Sequence, residues 1–107
     1  MSEQSLDKLV SIAVHLVENH FGLEKMEIAE SEYRLDSLKK ELRRVIAYLL
    51  EKDFEKLINA MYRIDIDEEK VRYALSGVDE REPVDVIVDL VVERELQKAE
   101  LRLKYKS

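Results

Sequence analysis

The stretch Asp53–Leu75, DFEKLINAMYRIDIDEEKVRYAL, constrains the fold most, because it carries two helix starts and one interruption within a short span. Phe54, Leu57, Ile58, Met61 and Tyr62 recur at the three-and-four spacing of one helical face. Asp53 stands where an N-cap carboxylate accepts from amides two or three residues on. The period is lost at Ile64-Asp65-Ile66-Asp67, which predicts an extended elbow. Asp67 then recaps the chain, and Glu68 and Glu69 put negative charge in the first turn, where it suits the helix dipole. Ile66 and Val71 occupy the N′ and N4 positions of a hydrophobic staple. The expectation is a helix, an acidic elbow and a second helix.

The elbow invites a metal. Asp65, Asp67, Glu68 and Glu69 place four carboxylates in five positions, and hard cations take oxygen ligands. A calcium loop of the EF type also needs alternating ligands over about twelve residues and a glycine at its turn. No glycine falls here, and Lys70 and Arg72 intrude. Capping and solvation account for these carboxylates better than a bound ion.

The remaining chain reads as helices too. With 39% charged residues, two glycines and one proline in 107 residues, the composition suits long helices with solvated outer faces. That length fits one domain spanning residues 1–107 around a single core. A first helix is predicted from about Ser5 to Phe21, striped by Leu6, Leu9, Val10, Ala13, Leu16 and Val17, with Gly22 at the left-handed cap position. Leu23, Met26 and Ile28 then tuck into the core from a short turn or loop. A second helix starts near Ser31, carries Leu35, Leu38, Leu42, Val45 and Leu49 inward, and breaks at Lys52-Asp53.

After Leu75, Ser76-Gly77 closes a helix and Pro83 suits the first turn of the next. At residues 84–92, VDVIVDLVV, a strand competes, since Val84, Val86, Val88, Leu90 and Val92 alternate and β-branched residues favour strands. That alternative makes the fold α+β. Helix is preferred, because Asp85, Asp89 and Glu93 stack opposite Val84, Ile87, Val88 and Val91. The pattern also continues through Leu96, Ala99 and Leu103 to about Lys104. The fold class expected is therefore all-α, about five helices in a compact bundle with a long C-terminal helix.

No chemically primed cluster stands out. There is no phosphate-binding glycine loop, nucleophile elbow or zinc spacing, and the absence of cysteine excludes thiolate sites and disulfides. His15, Glu18 and His20 hint at a metal, but a di-iron bundle needs paired Glu-x-x-His motifs, and only a reversed single copy is present. His20 fits better as a partner for a helix C-terminus. Tyr48, Tyr62 and Tyr73 read as partly buried packing residues with wet hydroxyls. No catalytic residue, metal ligand or cofactor is assigned.

Charge narrows the partners. The net charge of −6 disfavours nucleic acid, and the one basic cluster, Lys39, Lys40, Arg43 and Arg44, reads as a helix face neutralised by acidic neighbours. Charge also alternates in blocks: net −5 over residues 1–37, +3 over 38–64, −7 over 65–93 and +3 over 94–107. Such blocks suit segments that pack on one another or on a second copy. No apolar run reaches the roughly 20 residues of a membrane span. The opening MSEQSLDK lacks a basic region followed by an apolar run, so a cytoplasmic location is expected.

The strings DFEKLINAMYRIDIDEEKV and IVDLVVERELQKAELRLKYKS resemble those of a family of small uncharacterised bacterial proteins. The resemblance covers the chain from Asp53 onward. It implies a bacterial cytoplasmic protein and carries over no activity, cofactor, partner or site residue.

The function expected is a non-catalytic protein–protein interaction module, either a self-associating dimer or one with a protein partner. Its candidate interface is Val86, Ile87, Leu90 and Val91, because the last helix is apolar on more than one stripe. The alternatives are a metal-dependent enzyme joining the acidic elbow to His15 and Glu18, and a nucleic-acid adaptor built on the basic cluster.

Overall fold

The computed structural model describes residues 3–23, 26, 28 and 34–105, and the side chains of residues 6 onward within them. Five helices follow in order: α1 (Glu3–Phe21), α2 (Leu35–Lys52), α3 (Phe54–Ile64), α4 (Glu68–Ser76) and α5 (Pro83–Tyr105). No strand forms among the described residues, and residues 84–92 are helical throughout. The chain is all-α.

Local chemistry sets most of the boundaries. Gly22 takes φ +65°, and the Gly22 and Leu23 amides bond back to the Asn19 and Glu18 carbonyls, a Schellman cap that closes α1. Asp53 ends α2 and starts α3, its Oδ1 accepting from the Lys56 amide at 3.2 Å. Asp67 caps α4 through the Glu69 amide at 2.8 Å, Gly77 ends α4 at φ +76°, and Pro83 opens α5. The start of α2 differs from expectation. Arg34 is extended and makes no side-chain cap bond, so the helix begins at Leu35, while Ser31 lies outside the described residues.

The elbow ends α3 by a route the sequence does not advertise. Asp65 adopts the left-handed conformation, φ +66°, and its amide bonds the Tyr62 carbonyl while the Ile66 amide reaches Met61. This is a second Schellman cap, with aspartate where glycine is usual.

Helix α5 is the axis of the molecule and packs against all four other helices. Buried side chains from every helix merge into one core, which includes Val14, Leu42, Leu57, Ala74 and Ile87. The radius of gyration, 13.6 Å, is that of a tightly packed chain of this length. The α3 stripe is rotated from the expected face: Leu57, Ala60, Met61 and Ile64 are buried, whereas Phe54 and Tyr62 lie outside. Tyr48, Tyr62 and Tyr73 are likewise surface residues, not partly buried ones, because each stands on the solvent side of its helix.

Charge blocks α2 and α5 meet along one flank. Arg43 bonds Asp85 at 2.8 Å and Glu82 at 3.1 Å, Lys39 pairs with Asp89 at 3.4 Å, and Arg81 bridges Asp79 and Asp89. The basic cluster of α2 is therefore met by the acidic start of α5, as the block pattern suggests.

Candidate functional site

Three features stand apart from ordinary packing: a groove between α3 and α4, the exposed end of α5, and a buried acid beneath α1.

The groove follows from the elbow. The elbow turns the chain at Asp65, so that side chains of α3 and α4 line one space on either side of it. An open trough of about 470 Å³ results, floored by Ile58, Met61, Ile66, Val71 and Leu75. The staple pair Ile66 and Val71, both half-buried, thus also lines a surface groove. Asp65, Asp67, Glu68 and Arg72 line it as well, so its charge is acidic. Tyr62, 71% exposed, donates its hydroxyl to Glu68 Oε1 at 3.1 Å, joining the two helices. That carboxylate holds the Tyr62 hydroxyl above its ordinary pKa range. On the elbow's other side, a smaller cleft of about 220 Å³ is lined by Leu90, Arg94 and Gln97 of α5.

The last turns of α5 are exposed at every residue from Glu100 to Tyr105, including the apolar Leu101, Leu103 and Tyr105. Just before them, Arg94 reaches the Asp65 carbonyl at 3.2 Å and carboxylate at 3.4 Å, and the Lys98 ammonium lies 3.4 Å from the Arg63 carbonyl. The helix therefore leaves the bundle beside the end of α3.

The buried acid is Glu95, wholly inaccessible to solvent. Its Oε2 lies 2.8 Å from His20 Nδ1, and its Oε1 has no hydrogen-bond partner among the described residues. Burial pushes its carboxyl above the usual carboxylate range, opposed by the hydrogen bond and charge of His20 and by the charges of Lys98 and Arg94. His20 in turn lines an open pocket of about 380 Å³ with Lys56, Asn59 and Arg63 of α3. Helical spacing flags Glu95, since it continues the Ile87, Val91, Ala99 stripe as the one charge in it. Nothing in the sequence, however, points from Glu95 to His20.

The other sequence candidates separate. His15 bonds Glu18 Oε1 at 3.0 Å, and Glu18 Oε2 accepts from the Met26 amide at 2.8 Å, so this carboxylate fastens the segment after α1. Met26 and Ile28 are buried and Leu23 half-buried, as expected. The elbow acids engage Arg94, Tyr62, Arg72 and a helix amide instead. Among the described residues no three histidine or acidic side chains are placed to hold a metal. Val86, Ile87 and Val91 lie buried in the chain's own core, and Leu90 is half-buried beside the elbow. Of the four interface candidates, three are thus covered by the chain's own helices and Leu90 alone stays near the surface. No helix among the described residues is long and apolar enough to cross a membrane.

No family model, curated protein or solved structure matches the chain.

Proposed function

We propose that this chain is a non-catalytic interaction module of the bacterial cytoplasm that works by associating with a second copy of itself. The observation that carries the reading is the acidic, apolar-floored groove between α3 and α4. A concavity with apolar lining and a charged rim gives a partner's apolar side chains a place to bury and its cations a place to pair. The same chain exposes a second apolar region at the end of α5, where Arg102 and Lys104 outweigh Glu100. Two complementary surfaces on one chain favour self-association over an unrelated partner. The basic face of α2 is a weaker recruiter, because Lys39 and Arg43 are paired with α5 carboxylates.

Sedimentation equilibrium tests this directly. A reversible monomer–dimer equilibrium at tens of micromolar is expected, shifting toward monomer as salt rises and screens the charges. A strict monomer throughout that range removes the proposal.

A further inference from the structure

We infer that the two copies exchange their C-terminal turns: Leu101–Tyr105 of each chain occupies the α3–α4 groove of the other, closing a two-fold dimer. The inference rests on the self-association reading and names the segment that performs it.

Helical geometry makes this tail a matching plug. At 100° per residue, Leu101 and Tyr105 share one face of α5, with Arg102 and Lys104 about 80° to either side. An apolar ridge between two cations faces a trough with an apolar floor and the carboxylates of Asp65, Asp67 and Glu68. Neither Arg102 nor Lys104 makes an ion pair with the described residues, although the Lys104 ammonium sits 5.7 Å from the Tyr105 ring centre. The other basic residues of α5, Arg94 and Lys98, are by contrast tied to α3 and the elbow.

Placement selects a second copy as the occupant. Because α5 is helical through Tyr105, the tail runs on past its own bundle instead of turning back into its own groove. The seven residues beyond Lys98 extend about 10 Å at the helical rise. The last tie of α5 to the bundle is Lys98 against the Arg63 carbonyl, two residues before Asp65, which lines the groove, so the tail starts from the elbow end of α3. Two copies meeting through that end satisfy both grooves at once, which closes the assembly and prevents a chain of monomers.

A charge exchange tests it. In one variant the groove is altered by Asp65→Asn with Glu68→Lys, and in the other the tail by Arg102→Glu with Lys104→Glu. All four positions are exposed, and circular dichroism confirms that each variant is folded. Each variant alone is expected to associate at least about ten-fold more weakly than the parent chain. An equimolar mixture is expected to form a heterodimer within a few-fold of the parent affinity, because each tail then finds a groove of opposite charge. Variants that dimerise like the parent, or a mixture that stays monomeric, overturn the exchanged-tail arrangement while leaving self-association through another surface standing. A parent chain that is itself monomeric overturns both.

Discussion

His20 Nδ1 and Glu95 Oε2 lie 2.8 Å apart across 75 positions of sequence, joining the end of α1 to the middle of α5 inside the core. The carboxylate has no other partner among the described residues and no access to water. A buried acid held by one side chain costs more to leave unpaired than it contributes when paired. His20→Ala is therefore expected to lower unfolding free energy by about 1–3 kcal/mol, read from urea denaturation.

The same pair gives a pH signature. Burial raises the folded-state pKa of Glu95 above its ordinary 4.5, so the folded chain holds that proton more tightly than the unfolded chain. Its stabilising contribution is complete below the ordinary value and is lost as pH rises through the raised one. Glu95→Gln removes this loss. The stability of the glutamine variant relative to the parent should therefore grow with pH between about 4.5 and neutrality. A stability difference that stays constant across that range contradicts the assignment.

Ile87 separates core from surface on α5. Fully buried, it should cost about 2–5 kcal/mol of stability when changed to Ala. Leu90→Ala, at a half-buried site, should cost distinctly less in the same denaturation assay. Equal losses at the two positions would show that the helix is rotated from the packing described.

Asp65 carries the strain of the elbow. A β-branched side chain is disfavoured at φ +66°, so Asp65→Val should destabilise by about 1–2 kcal/mol, whereas Asp65→Gly should remain within about 1 kcal/mol of the parent. Thermal melts of the two variants check the contrast.

The caps at Asp53 and Asp67, the glycine ends at positions 22 and 77, and Pro83 were legible because each is a local signal whose chemistry acts within a few residues. The competing strand at 84–92 arose because these valines face core on several sides, so alternation and helical periodicity are both satisfied. What escaped was long-range or rotational. Ala60 and Ile64 took the buried places expected of Phe54 and Tyr62, a shift set by how α3 meets α1 and α2. The acidic elbow was legible as a cap, but the groove beside it depends on the angle between two helices. The left-handed Asp65 that fixes that turn has no compositional marker of the kind glycine provides. Val86, Ile87 and Val91 were visible as an apolar excess, though pattern alone does not distinguish a face covered by the chain's own helices from one left for a partner.

Exchange of the C-terminal turns between two copies is read residue by residue in an amide NMR dilution series from near millimolar to low micromolar protein. Concentration-dependent shifts are expected at Ile66, Val71 and Leu75 in the groove and at Leu101–Tyr105 in the tail, with core amides such as that of Ile87 unmoved. A spectrum that does not change with concentration, or shifts confined to the α2 face around Lys40 and Tyr48, would contradict it.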